Sequence, residues 1–206
     1  MLLKLYEENP SEKHLKTIVE CLRDGGIIIY PTDTVYSFGC DIYKQKAVER
    51  IARLKGLDPK RNNFSIVCRD LSNLSDYSKP IANHIFRIMR KAFPGPYTFI
   101  LPANSRVPKL FQHKKKTVGI RVPDNGIAQA IVADLGNPIL STSLHHEDKI
   151  LDYMPDPEDI YDAYKDKVDI VIDGGPGENI PSTIIDCSSD EIKIIREGLG
   201  DTSIIY

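Results

Sequence analysis

The sequence predicts a mixed α/β fold, an open twisted sheet with helices on its faces. Three observations predict it. Strand-like apolar runs such as Ile27-Ile28-Ile29 alternate with amphipathic helical stretches early in the chain, strand-like runs crowd the last third, and Gly and Pro breaks punctuate both. The 206 residues suffice for one sizeable core and are few for two independent domains, so one domain over 1–206 is expected.

Taken in order, Ser11 followed by Leu15, Ile18, Val19 and Leu22 predicts a helix capped at Ser11, which Gly25-Gly26 ends. Residues 27–30 form a short, unbroken apolar segment that reads as a central strand covered on both faces. Pro31 stops the ladder, and residues 31–39 continue as a polar loop closed by Gly39. Ala47, Val48, Ile51, Ala52 and Leu54 mark a second helix that stops at Gly56, which leaves Lys55 at a helix end. A polar loop at 58–63 precedes a strand at 64–67, and Ile81, Ile85, Ile88 and Met89 line the inner face of a helix over 81–93, halted by Pro94-Gly95-Pro96. Strands are expected at 97–101 and 118–122, a helix at 125–135 and a buried strand at 139–141 that ends in hydroxyls. The final third holds a helix at 157–165, a strand at 168–172, a turn at Gly174-Gly175-Pro176-Gly177, and strands near 183–186 and 192–196.

Composition narrows the class. Hydrophobic residues at 41% and charged ones at 27% belong to an ordinary globular chain, and no apolar run reaches the length of about 18 residues that a membrane span needs. With no leader-like N-terminus, a cytoplasmic protein without membrane contact is expected. Cys21, Cys40, Cys68 and Cys187 are scattered and His145-His146 are adjacent, so neither disulfides nor a metal-ligand spacing is indicated. The net charge of −2 conceals a net of −10 between Thr142 and Asp190 and +8 elsewhere. The basic excess is densest at Arg106, Lys109, Lys114, Lys115 and Lys116 and at Arg50, Arg53, Lys55, Lys60 and Arg61. Such clusters suit a polyanion, though each also reads as an ordinary solvated face.

Gly174 to Gly177 lacks the spacing of a phosphate-binding loop or a dinucleotide fingerprint and reads as a turn, and neither a GxSxG elbow nor an HExxH pair occurs. What remains is distributed. Thr32, Asp33 and Thr34 put two hydroxyls and a carboxylate at a strand's end, where open α/β sheets place ligands, although such residues are also common in plain turns. Arg121 lies inside an apolar strand, and a buried cation is costly unless it meets solvent, an internal acid or an anionic ligand.

Residues 31–39, PTDTVYSFG, resemble the PTDTVYGLG signature of the YrdC/YciO family, which includes the threonylcarbamoyl-adenylate synthases. Six further matches follow in order: Lys55-Gly56, Pro94-Gly95-Pro96-Tyr97-Thr98, Thr117-Val118-Gly119-Ile120-Arg121-Val122-Pro123, Ser141-Thr142-Ser143, Pro181-Ser182-Thr183-Ile184-Ile185-Asp186 and Arg196-Glu197-Gly198. The resemblance implies an open, concave sheet with a central cavity. It implies the condensation of L-threonine, bicarbonate and ATP into threonylcarbamoyl-AMP and pyrophosphate, a precursor for tRNA modification, with Mg²⁺ brought by ATP and none held by the protein alone. By motif, Thr32, Thr34, Arg121 and Ser182 are implied to contact threonine, and Lys55, Asn63, Thr117, Ser143 and Arg196 the nucleotide. No protein nucleophile is needed; catalysis is by positioning and charge neutralisation. Lys114, Lys115 and Lys116 are candidate contacts to tRNA or double-stranded RNA.

The chain departs from the synthase pattern in ways that resemble the YciO branch. It has Leu57 where Lys-x-Arg is expected, His145 where Ser-x-Asn is expected, Cys68 where His is common, and Ser37-Phe38-Gly39 for Gly-Leu-Gly. Three readings therefore stand: an enzyme forming threonylcarbamoyl-AMP, a nucleotide- and RNA-binding protein without that step, or a structural or interaction protein with a vestigial cavity.

Overall fold

A computed structural model of the chain describes residues 1–57, 64–108, 116–144, 155–189 and 191–206. The loop expected at 58–63, with Asn63, Lys60 and Arg61, lies outside the described residues, as do Lys114, Lys115 and His145.

Ten strands join in one sheet. In chain order they are β1 (Leu2–Lys4), β2 (Ile28–Tyr30), β3 (Ser37–Asp41), β4 (Ser65–Val67), β5 (Tyr97–Pro102), β6 (Thr117–Arg121), β7 (Ile139–Ser143), β8 (Ile170–Asp173), β9 (Thr183–Asp186) and β10 (Lys193–Arg196). Across the sheet they run β1-β8-β2-β3-β7-β4-β6-β5-β9-β10, with parallel and antiparallel neighbours mixed, as the sequence predicts. The helices are α1 (Glu12–Arg23), α2 (Gln45–Leu54), α3 (Leu71–Ser75), α4 (Asn83–Ala92), α5 (Gly126–Leu135) and α6 (Pro157–Tyr164), and a 3₁₀ turn at Thr202–Ile205 follows.

Side-chain alternation in β2 divides the interior in two. Ile29 joins the cluster that takes Val48 and Ile51 of α2 and Ile85 and Met89 of α4. Ile28 and Tyr30 point the other way, to the cluster built on Leu15, Ile18, Val19 and Leu22 of α1 and Ile127, Ile131 and Leu135 of α5. All three strand residues are fully buried, as a central strand requires.

Several elements depart from the sequence expectation. Ser11 occupies the N-cap position of α1, but its hydroxyl makes no capping bond; its carbonyl accepts the Leu15 N–H at 2.9 Å. Residues 37–41 are a strand rather than the end of a loop. Their polar residues are buried because β3 lies between β2 and β7, both antiparallel to it. β1, α3 and the last turn are too short to show a period. α1 ends as expected, with Gly25 at φ +85°, a left-handed conformation that glycine adopts without strain.

Candidate active site

The face of the sheet beneath α1 and α5 changes character along its strands. Val67 and Ile139 belong to the apolar cluster under those helices, yet two residues away on the same face stand Ser65 and Ser141. Register extends these into a row: Gly39 is opposite Ser141, Ser141 opposite Ser65, Ser65 opposite Gly119, and Gly119 opposite Ile100. Hydroxyls and glycines thus pave the sheet where the two helices stop. The result is a concave cavity of about 80 Å³, lined by Thr34, Ser37, Ser65, Thr98, Arg121, Ser141, Thr142, Ser143, Ser182 and Arg196, with Val35, Pro181 and Ile184.

The floor is held by groups outside it. The Tyr30 hydroxyl, buried and with its pKa pushed up to about 12 by that burial, donates to Ser141 Oγ at 2.9 Å. Ser141 therefore has its own proton to offer upward. Gly119 has no side chain to fill the floor; a Cβ there lies 2.8 Å from Ser65 Oγ. Thr98 Oγ1 and Ser182 Oγ are 2.9 Å apart and link β5 to the segment before β9.

Arg121 is the cation of the floor and is 5% exposed. Its Nη2 donates to Asp33 Oδ1 at 2.8 Å and to Thr34 Oγ1 at 2.9 Å, while its buried Nε has no hydrogen-bond partner among the described residues. Of the three environments the sequence leaves open for Arg121, the structure supplies the internal acid and keeps one donor uncommitted. Leaving a buried donor without a partner costs about 1–3 kcal/mol. Asp33 accepts the Asp124 N–H on its second oxygen at 3.0 Å. Burial pushes its pKa up from the ordinary 3.8, against the pull of Arg121.

Arg196, on β10, donates through Nε and Nη2 to the Ser182 carbonyl, at 3.1 and 2.8 Å. Lys55, buried at the C-cap of α2, donates from Nζ to the Ser143 carbonyl at 2.5 Å and to Thr142 Oγ1 at 3.2 Å. Of the residues the sequence singles out, Thr34, Arg121, Ser143, Ser182 and Arg196 share the cavity lining. Thr32, Lys55 and Thr117 do not. The Thr32 hydroxyl turns to the Val35 carbonyl and meets Thr34 Oγ1, each at 3.0 Å, so it braces Thr34. Lys55 braces Ser143, and Thr117 is half-buried at the start of β6. Lys116 is exposed, with φ at +54°. Sequence reasoning did not single out Ser65, Thr98 and Ser141 as lining residues. Their polar character inside buried strands was the available signal.

Among the described residues no group of three or more His, Cys, Asp or Glu is placed to hold a metal ion, and no helix is long and apolar enough to cross a membrane.

The model of the Sua5/YciO/YrdC family, described as "Telomere recombination", matches residues 20–198. The chain belongs to that family. The uncharacterized YciO protein of Escherichia coli K12 is 45% identical over 198 residues, 96% of this chain and 95% of its own. A threonylcarbamoyl-AMP synthase of Chromobacterium violaceum is 31% identical over 172 residues, 83% of this chain and 87% of its own. The crystal structure of E. coli YciO superimposes at a TM-score of 0.93 and 42% identity, covering 100% of this chain and 99% of that one. The P. abyssi Sua5 structure complexed with L-threonine superimposes at 0.86 and 25% identity, covering 96% of this chain and 57% of that one.

Proposed function

We propose that the protein binds L-threonine, bicarbonate and ATP and forms threonylcarbamoyl-AMP and pyrophosphate for tRNA modification. The observation that carries the proposal is the unpartnered Nε of Arg121 in a hydroxyl-lined cavity. A guanidinium suits a carboxylate, which accepts at two oxygens. The cavity is too small for a nucleoside triphosphate as well, so the nucleotide extends past Arg196 and Ser143, toward Lys55 and Thr117. The relative solved with L-threonine and the relatives that are threonylcarbamoyl-AMP synthases support this assignment.

The chemistry asks little of the protein beyond position and charge. The threonine amine takes up bicarbonate with loss of water to give a carbamate. A carbamate oxygen then attacks the α-phosphorus, and pyrophosphate leaves with the electrons of the broken P–O bond. Carbamate and triphosphate are both anionic, so cations must hold them against their repulsion; Arg121 and Arg196 flank the cavity for that purpose. The cavity lining offers hydroxyls and cations rather than the carboxylates that magnesium prefers. Any Mg²⁺ would therefore be carried by the phosphates of ATP, whose charge it would help to neutralise.

A second reading, nucleotide and RNA binding without the synthase step, is favoured by Leu57. It packs partly buried against the core and supplies no cation to phosphate. Pyrophosphate release from ATP and bicarbonate with a panel of amino acids separates the two. The synthase reading expects threonine-dependent release that falls at least a hundredfold in Arg121→Ala, the loss of one preorganised donor. ATP binding with no release for any amino acid supports the second reading instead.

A further inference from the structure

Asp33 has no part in the reaction above. It stands outside the cavity lining, yet its buried carboxylate is 2.8 Å from Arg121 Nη2 and already compensates the charge that a ligand carboxylate is to meet. We propose that Asp33 is a positioning residue that couples the binding of a carboxylate ligand at Arg121 to the uptake of a proton by Asp33 itself. The proposal rests on Arg121 being the ligand's anchor.

The argument is one of charge in a confined space. Arg121 and Asp33 form a nearly neutral pair with side chains 6% and 8% exposed. A ligand carboxylate drawn to the free Nε puts a second anion on the same guanidinium, where little water screens their repulsion. Protonation of Asp33 relieves it and transfers the guanidinium charge to the ligand. The guanidinium stays in place, because Thr34 Oγ1 still accepts from Nη2 and Thr32 braces Thr34. A neutral carboxyl group also retains an oxygen to accept from Nη2 or from the Asp124 N–H. Burial pushes the Asp33 pKa up, against the pull of Arg121 and of the Asp124 N–H.

Other titratable groups do not offer the proton a better place. Burial pushes the pKa of Tyr30, beneath the floor, up to about 12. Arg196, on β10, and Lys55, against β7, are cations held by Ser182, Thr142 and Ser143. Among the described residues the cavity lining contains neither carboxylate nor histidine.

The test is calorimetric titration of the full chain with L-threonine at about pH 6 in two buffers of different ionisation enthalpy, with the binding constant followed between about pH 5 and 8. The parent is expected to take up a fraction of a proton per threonine bound. Its affinity weakens as pH rises, toward the limit of about tenfold per pH unit that one coupled proton sets. Asp33→Asn is expected to bind threonine with no proton uptake and a flat profile; any titration of the ligand or of histidines is common to parent and variant. A merely structural Asp33 gives a variant with weaker binding and unchanged uptake, and that result overturns the proposal. So does a parent that binds threonine without taking up a proton. A parent that does not bind threonine at all overturns the anchor assignment as well, which distinguishes the two failures.

Discussion

A Cβ added at Gly119 meets Ser65 Oγ at 2.8 Å and Thr98 Cγ2 at 3.3 Å. The serine hydroxyl can rotate away, so Gly119→Ala costs the fold little, but the methyl group occupies the floor on which a ligand rests. Threonine affinity is expected to fall at least tenfold with the thermal midpoint nearly unchanged, read by calorimetry and thermal unfolding together. Asp33 carries a pH signature of its own in the unliganded protein. Its folded pKa lies above the ordinary 3.8, so between the two values the folded chain binds more protons than the unfolded one. The stability this group contributes is therefore fully present below that window and lost as pH rises through it. Urea midpoints from about pH 4 to 7 should show a decline that is shallower in Asp33→Asn. Thr34, Arg121, Ser143, Ser182 and Arg196 were legible in the sequence because each sits in a short motif. Thr98 and Ser141 lie within matched motifs without being singled out there, and Ser65 is a lone hydroxyl in a strand; each reaches the cavity through register with strands distant in the chain. The Asp33–Arg121 pair was half legible, since a buried arginine calls for an anion without saying which.

At the scale of elements, α5 is positioned by its cap. Asn125 accepts the Ala128 N–H at 3.0 Å from a buried site, and Asn125→Ala is expected to cost about 1 kcal/mol in urea unfolding, with Asn125→Asp recovering most of it. Strand β3 depends on close approach. A Cβ at Gly39 falls 2.9 Å from Tyr30 Cε1 and 3.2 Å from Ile28 Cγ1, both on the paired, fully buried β2. Gly39→Ala is accordingly expected to destabilise by about 1–3 kcal/mol and, by shifting the Tyr30 ring, to weaken threonine binding through Ser141. The long helices were legible because α1, α2 and α4 repeat apolar residues every three or four positions. β3 was not. Ser37-Phe38-Gly39-Cys40-Asp41 lacks the β-branched run of β2, and its strand character comes from pairing on both sides.

For the whole molecule, one sheet serves two purposes: apolar where helices cover it and hydroxyl-lined where they do not. The alternation of strands and helices made the fold class legible, whereas the order of the ten strands rests on long-range pairing that no local pattern records. The departures from the synthase pattern also act at this scale. If the missing cation and amide limit the reaction, Leu57→Arg with His145→Asn raises threonine-dependent pyrophosphate release about a hundredfold, the contribution of one preorganised phosphate donor. An unchanged rate in the folded double variant would remove these two positions from the explanation. Binding of double-stranded RNA is proposed to use Lys114, Lys115 and Lys116 as contacts to phosphate. Replacing all three by Gln should weaken it and reduce its salt dependence, as measured by filter binding at two ionic strengths. The central claim, that Arg121 is the anchor for a ligand carboxylate, is tested most directly by a crystal structure of the protein soaked with L-threonine. The account predicts the threonine carboxylate within hydrogen-bond distance of Arg121 Nε, with Asp33 still behind the guanidinium. Threonine bound elsewhere, with Nε still unpartnered, would contradict it.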